Sequence, residues 1–176
     1  MMGGGLAGLT AAIDLNHRGF SVLVIEKKQY PQHKVCGEYL SAEVLPYFQQ
    51  LGIDLRALQQ NQVRRFRLYA PSGRFVEQEL PLGGLGIRRY TLDQHLYQLA
   101  ETQGVAFMLS TQINQVAMAG DQFILHTKKG AAIEAKVVIA SFSKRANLDR
   151  SLRRSFVQEP ADYVGIKFYL HANFPV

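Results

Sequence analysis

The chain has no tryptophan and only one cysteine, Cys36, among its 176 residues. A single cysteine excludes an internal disulfide framework of the kind that stabilises small secreted domains. No apolar run approaches the ~20 residues of a membrane-spanning helix, and no secretory signal pattern opens the sequence. Hydrophobic residues make up 47% of the chain and charged residues 19%, values typical of a folded globular protein. We therefore expect a cytoplasmic protein without a transmembrane segment.

Acidic residues are in the minority, with 14 Asp and Glu against 20 Lys and Arg, and the formal net charge is +6. The basic residues are scattered over the sequence and do not form the dense stripe of a nucleic-acid-binding protein. A positive field of this kind suits small anionic molecules, such as dinucleotides, acyl-CoA or phosphorylated lipids. The five histidines lack the spacing of a metal site, so we predict neither a nucleic-acid partner nor a metal.

The strongest signal is a glycine pattern at the start of the chain. Gly3, Gly5 and Gly8 have the spacing G-x-G-x-x-G, and the small residues that follow predict a helix ending at Gly19. Residues 20–25 form an almost continuous apolar run, which is typical of a strand buried on both faces of a parallel sheet. A lone G-x-G-x-x-G is weak evidence, but this one opens a helix and precedes a buried strand. The segment therefore predicts a βαβ unit that binds a dinucleotide.

Each position of the pattern has a chemical purpose. Gly3 permits the tight turn into the helix, Gly5 lets the backbone approach a pyrophosphate, and Gly8 allows close packing of the helix on the sheet. The helix N-terminus offers unpaired N–H groups to the phosphates. Glu26 closes the strand and can accept hydrogen bonds from ribose hydroxyls, whereas a 2′-phosphate would meet like charge there. The cofactor-binding residues predicted from this unit are Gly3, Gly5, Leu6, Ala7, Gly8, Glu26 and Lys27.

The rest of the chain alternates helical and strand patterns around an inserted β-hairpin. We predict helices over 41–51 and 92–103, a hairpin of 63–70 and 74–80, a glycine-rich linker at 81–86, and strands at 105–109, 123–127, 133–140 and 163–170. This order predicts an α/β fold: a Rossmann-like FAD- or NAD(P)-binding parallel sheet with an inserted β-hairpin and the start of a β-rich substrate domain. The expected boundaries are 1–60 for the ADP-binding βαβ unit, 61–86 for the hairpin, 87–150 for the return to the nucleotide-binding domain and 151–176 for the start of the substrate domain.

With these motifs, the sequence resembles the flavoproteins that include geranylgeranyl reductases, electron-transfer dehydrogenases and hydroxylases of the p-hydroxybenzoate type. The stretch 34–38, Lys-Val-Cys-Gly-Glu, is similar to a loop that runs toward the flavin ring in the reductase branch. Residues 87–93 are similar to that group's Arg-x-x-Leu-Asp helix start. The resemblance implies that Cys36 and Gly37 lie near the flavin and that Arg89 lies near the cofactor. The residues alone favour a small, partly buried thiol at Cys36.

The resemblance implies an FAD-dependent oxidoreductase of the reductase or dehydrogenase type, with NAD(P)H as a transient electron donor. Its substrate would be a small molecule, hydrophobic or of the acyl or isoprenoid class, and contact with a membrane surface would be peripheral. Two other interpretations stay open, namely a non-catalytic remnant with weak nucleotide binding and an NAD-binding oxidoreductase without flavin. The oligomeric state is not encoded in any of these patterns.

The chain departs from the family at three places. Only Met1 and Met2 precede Gly3, where the family has a complete first strand, and 140–143 replace a glycine-containing turn. A Gly-Asp segment that seats the flavin end of FAD is absent. From these departures we expect an incomplete N-terminal portion with unpaired sheet strands, marginal stability and weak binding of FAD.

Overall fold

The structure is a computed structural model, and it describes residues 1–56, 58, 61–142, 149, 155 and 164–169. Its helices are α1 (Leu6–His17), a short 3₁₀ helix (Ala42–Val44), α2 (Leu45–Gln50) and α3 (Arg89–Thr102). Its strands are β1 (Leu23–Ile25), β2 (Tyr39–Ser41), β3 (Asn61–Tyr69), β4 (Phe75–Gly86), β5 (Ala106–Met108), β6 (Ile113–Ala119), β7 (Gln122–Thr127) and β8 (Ala132–Ala135).

A parallel layer carries the start of the chain. Strands β1 and β5 pair in parallel, and Met2 forms parallel bridges to both Ile25 and Ala140. The Met2 amide donates to Ile139 at 2.9 Å, and the Ile25 amide donates to Met1 at 2.9 Å. The expectation that neighbouring strands lose their partner here is therefore wrong, because two residues are enough to fill this position in the sheet at the level of the glycine turn.

Helices α1 and α3 pack against each other, and α1 also packs against β1. Their contact is fully buried at Leu9, Ile13 and Leu96, and Val24 of β1 completes the same core. Apolar side chains at this spacing lie on one helical face, so each helix covers the parallel layer with one side. Because α1 leads directly out of the glycine turn, this packing fixes where the N-terminal end of α1 points.

A second sheet has the order β2-β4-β3 and is antiparallel. It contains the predicted hairpin, but residues 81–86 are not the predicted linker: they continue β4, and 84–86 pair with both β2 and β3. The glycines have a packing reason, since a Cβ on Gly84 would lie 2.4 Å from the ring of Tyr39. Close backbone approach therefore explains a glycine-rich sequence inside a strand.

The third sheet, β6-β7-β8, is an antiparallel meander. Strand β6 was not predicted, and the single strand predicted over 133–140 is wrong: Ala132–Ala135 form β8, whereas Ala140 bridges Met2 in the parallel layer. The strand predicted over 163–170 is wrong for 164–169, which adopt no regular structure, while residues 163 and 170 lie outside the described part. Among the described helices, none has the length and apolar character required to cross a lipid bilayer.

Candidate nucleotide-binding site

The turn between Met2 and α1 is held tightly by the segment that follows Ala140. Gly3 has a φ of +106°, and a Cβ there would lie 2.7 Å from the carbonyl oxygen of Ser141. The Ser141 hydroxyl also donates a 2.7 Å hydrogen bond to the Gly3 carbonyl. A residue with a side chain is excluded at position 3 both by its backbone conformation and by space. Ser141 thus places a hydroxyl group against the glycine turn.

Gly8 and Gly5 are glycines for different reasons. A Cβ on Gly8 would lie 2.1 Å from the carbonyl oxygen of Gly3, so the first turn of α1 rests directly on the glycine turn. A Cβ on Gly5 would meet only the Lys34 ammonium, at 3.4 Å. Gly5 is the N-cap of α1 and has no side-chain cap, and the amides that open any helix lack an intrahelical acceptor. The space beside Gly5 is therefore open to an acceptor of hydrogen bonds.

Glu26 lies beneath the same turn and is 7% exposed. Its Oε2 accepts a 2.8 Å hydrogen bond from the Gly4 amide, and its Oε1 accepts one of 3.1 Å from the Lys28 amide. Each carboxylate oxygen has two lone pairs, so both can accept a further hydrogen bond. Glu26 therefore fastens the turn and remains able to bind ribose hydroxyls.

Two cations share one buried carboxylate next to the turn. Asp93 is fully buried and binds the Arg89 guanidinium through two hydrogen bonds of 2.8 and 2.9 Å. The Lys34 ammonium lies 3.4 Å from the same carboxylate. Burial acts to lower the pKa of Arg89, but the hydrogen bonds and charge of Asp93 outweigh burial and raise that pKa. Arg89 therefore stays charged, and the two cations exceed the single charge of Asp93.

The predicted flavin-side loop is fastened to the start of α3. Glu38 has a φ of +58°, and its Oε1 accepts hydrogen bonds from the Arg89 amide at 3.1 Å and the Tyr169 hydroxyl at 3.0 Å. Lys167 forms an ion pair of 2.5 Å with the same oxygen. The Cys36 sulfur accepts a 3.4 Å hydrogen bond from the Glu38 amide. These contacts give the Cys-Gly-Glu loop one defined conformation.

A cleft of about 1260 Å³ runs along the N-terminal end of α1. Seven of the predicted residues line it, namely Gly3, Gly5, Leu6, Ala7, Glu26, Lys27 and Arg89. Gly8 lies behind the turn, and neither Cys36 nor Gly37 is among the residues that line the cleft. Their individual roles toward a cofactor stay predictions.

Sequence analysis missed four residues of the site. Lys34 lines the cleft, Asp93 holds Arg89 in place, Gly4 carries the hydrogen bond to Glu26, and Ser141 supports the turn. Position 4 is unspecified in G-x-G-x-x-G, so the motif gives no reason to examine it. Asp93 had a signal, because an Arg-x-x-x-Asp spacing on a helix brings the two side chains together.

The residues present fit the ADP part of a dinucleotide. An open approach at Gly5, free amides at a helix N-terminus, two nearby cations and an acid at the end of β1 form a site for pyrophosphate and ribose together. The arrangement leaves space for an anion next to α1 and for a diol next to Glu26. These two positions correspond to the pyrophosphate and the ribose, which are adjacent in ADP.

Comparison with known proteins agrees with this geometry. A family model described as the FAD binding domain matches residues 1–35. Menaquinone reductase of Mycobacterium tuberculosis (strain CDC 1551 / Oshkosh) is 26% identical over 181 residues, covering 99% of this chain and 44% of the relative. The chain therefore spans less than half the length of that relative.

Solved structures show the same fold. FqzB superimposes with a TM-score of 0.73 at 22% identity, covering 86% of this chain and 37% of FqzB. The halogenase PltM, in complex with phloroglucinol and FAD, gives a TM-score of 0.71 at 16% identity, covering 86% of this chain and 35% of PltM. The Rossmann-type α/β prediction is confirmed by these likenesses.

The fold and the geometry of the site are those of a Rossmann-type unit, and its first 35 residues match the FAD binding domain. The predicted cofactor FAD is confirmed by the FAD-binding family model, and the relatives support a family of FAD-dependent oxidoreductases.

Proposed function

We propose that this chain provides the ADP-binding half of an FAD-dependent reductase or dehydrogenase, of the group that includes the geranylgeranyl reductases. The observation that carries the proposal is the glycine turn at the N-terminal end of α1, with Glu26 below it and Lys34 and Arg89 beside it. Gly5 and the first amides of α1 would bind the pyrophosphate, and Glu26 would accept hydrogen bonds from the adenosine ribose. Bound FAD would supply hydride transfer between a donor such as NAD(P)H and the substrate.

The reductase branch is favoured over the hydroxylase branch by two observations. The Cys-Gly-Glu loop is similar to that of the reductases, and the menaquinone reductase relative aligns over nearly the whole chain. The flavin-dependent halogenases among the structural neighbours share the fold at low identity. By analogy with the relative, the substrate would be a hydrophobic small molecule of the isoprenoid or quinone class.

The chemical identity of the released cofactor tests the proposal. The purified protein, incubated with equal amounts of FAD and NAD, freed of unbound nucleotide and then denatured, should release a yellow chromophore with the absorption spectrum of FAD. A colourless supernatant that contains NAD would overturn the flavin assignment and favour an NAD-dependent oxidoreductase. Protein that retains neither nucleotide after saturation would favour a non-catalytic remnant.

A further inference from the structure

Both backbone polar groups of Gly4 form hydrogen bonds with side chains of the segment that follows α1. The Tyr30 hydroxyl donates a 2.5 Å hydrogen bond to the Gly4 carbonyl, while the Gly4 amide donates to Glu26 at 2.8 Å. Gly4 is buried, and it is the unspecified position of the glycine motif. In this chain the position is not free, because a Cβ on Gly4 would lie 1.9 Å from the Tyr30 hydroxyl oxygen and 3.1 Å from the ring carbon that bears it.

Tyr30 is itself fixed by aromatic packing. Its ring stacks on Tyr97 of α3 with a centroid distance of 4.5 Å and an interplanar angle of 15°. Tyr97 in turn meets Phe107 of β5 edge-on at 4.8 Å. Burial, together with the nearby charges of Glu26 and Asp93, raises the pKa of Tyr30, so its hydroxyl keeps its proton and remains a donor. A partly buried phenol on an aromatic stack is thus directed at one carbonyl of the glycine turn.

A glycine-rich turn needs such a constraint. Without Cβ atoms at positions 3, 4 and 5, a peptide plane of this turn can rotate at little steric cost. The peptide that carries the Gly4 carbonyl also carries the Gly5 amide, and in a trans peptide the two point in opposite directions. Rotation of this plane would exchange an N–H group for a carbonyl oxygen on the side of the turn that Gly5 presents to the cleft, where an anion would meet a negative dipole.

We propose that Tyr30 is a positioning residue, which binds the Gly4 carbonyl and so holds the Gly5 peptide in the orientation that receives the cofactor pyrophosphate. The proposal rests on the proposed function for its ligand, and on the Tyr30–Gly4 contact alone for its effect on the turn. Tyr30 would act through the turn without touching the nucleotide. Gly4 and Tyr30 then form one unit, in which the glycine is required because the hydroxyl occupies the space of its side chain.

Tyr30→Phe in the full chain tests the proposal, with Tyr97→Phe as the matched control. Both variants keep the aromatic stack and lose one hydroxyl hydrogen bond, but the Tyr97 hydroxyl binds Glu101 at the surface, at 2.7 Å. Tyr30→Phe should weaken ADP binding by roughly three- to tenfold, the effect of one ordinary hydrogen bond. It should also speed hydrogen exchange at the Gly4 and Gly5 amides in the nucleotide-free protein. Tyr97→Phe should leave both values at those of the parent.

The two readouts separate this proposal from the proposed function. If the parent binds no ADP in calorimetry, the proposed function fails, and the exchange rates still decide the role of Tyr30. Equal exchange rates and equal ADP affinities in the two variants would overturn the proposal. A third comparison uses Gly4→Ala, which should lower the melting temperature more in the parent than in the Tyr30→Phe background, because the nearest atom retreats from 1.9 to 3.1 Å. Equal losses in both backgrounds would also overturn it.

Discussion

At the scale of single residues, the glycines of the motif divide into those that build the turn and those that leave space for a ligand. Gly3 and Gly8 are enclosed by backbone atoms, whereas the space beside Gly5 is open toward the cleft. Glu26 combines both tasks, since it binds two backbone amides and lines the cleft. Substitutions at these positions should therefore separate folding from binding.

Gly8→Ala and Gly5→Ala make this separation measurable. Gly8→Ala places a methyl group 2.1 Å from the Gly3 carbonyl, and overpacking against backbone should cost about 1–3 kcal/mol of the free energy of unfolding. Gly5→Ala should leave the melting temperature nearly unchanged and weaken FAD, because its methyl group faces the cleft. Gly37→Ala, where a Cβ meets no atom within 4 Å, is the control for stability. Equal losses of melting temperature in Gly5→Ala and Gly8→Ala would contradict this division.

Glu26→Ala should weaken FAD by roughly 1.5–3 kcal/mol, the range for hydrogen bonds to a charged group, or on the order of ten- to a hundredfold in Kd. The variant also frees the Gly4 and Lys28 amides, so a loss of melting temperature should accompany the loss of affinity. Glu26→Gln keeps one acceptor oxygen, so its affinity for FAD should lie between those of the parent and Glu26→Ala. Flavin fluorescence titration gives the affinities, and an unchanged Kd in Glu26→Ala would limit this carboxylate to fastening the turn.

At the scale of elements, periodicity and turn residues predicted α1, α3 and the β3–β4 hairpin. They did not predict β6 or the extension of β4 through 81–86. Glycines argue against a strand by propensity, but here Tyr39 lies across Gly84 and two neighbouring strands pair with this segment. Tertiary pairing overrides local preference in such cases. The existence of the cleft could be predicted from residues 3–26. The role of Ser141 could not, because its hydroxyl bonds to Gly3, 138 positions away in the sequence.

The link between the Cys-Gly-Glu loop, α3 and segment 164–169 should depend on pH. Burial acts to raise the pKa of Glu38, but hydrogen bonds from Lys167, Tyr169 and the Arg89 amide prevail and lower it from the ordinary value of 4.5. A carboxyl group with a lowered pKa stabilises the fold above its unfolded-state value, and this contribution is lost as the pH falls through the folded-state value. The melting temperature of the parent should therefore decrease as the solution is acidified below about pH 4.5, and Glu38 should account for part of this decrease.

Glu38→Gln provides the comparison, because it cannot ionise. The parent should be more stable than Glu38→Gln near neutral pH, and the difference should shrink as the solution is acidified below pH 4.5. Glu43→Gln, at an exposed position of the 3₁₀ helix, is the control, and its melting temperature should change with pH as that of the parent does. Parallel curves for parent and Glu38→Gln between pH 3 and 6 would mean that this carboxylate does not link the three segments.

At the scale of the whole molecule, the described residues form a parallel layer with a cleft along α1 and two antiparallel sheets. The contacts that fit a ligand lie around α1 and Glu26, on the side of the ADP moiety. The chain covers 44% of the menaquinone reductase relative, and recognition of the flavin ring would involve the remainder of such a protein. This distribution of contacts predicts a preference among ADP, FAD and FMN.

ADP should raise the melting temperature of this chain nearly as much as FAD does at equal concentration, whereas FMN should have little effect. A ligand that binds only the folded state stabilises it according to its concentration relative to Kd, and ADP carries most of the contacts that the cleft offers. Thermal unfolding with each ligand at several concentrations measures the three responses. A large shift with FMN, or a much larger shift with FAD than with ADP, would show that the flavin ring is also held by this chain.

The contact between Gly4 and Tyr30 has a consequence for sequence evolution. These two residues lie 26 positions apart, yet position 4 cannot accept a side chain while position 30 keeps its hydroxyl, because the hydroxyl occupies the place of the missing side chain. A lineage that acquires alanine or serine at position 4 should first, or at the same time, lose the hydroxyl at position 30. Relatives should therefore seldom combine a larger residue at position 4 with a tyrosine at position 30. The residue found at position 4, which the glycine motif leaves unspecified, would then depend on the residue at position 30, outside the motif.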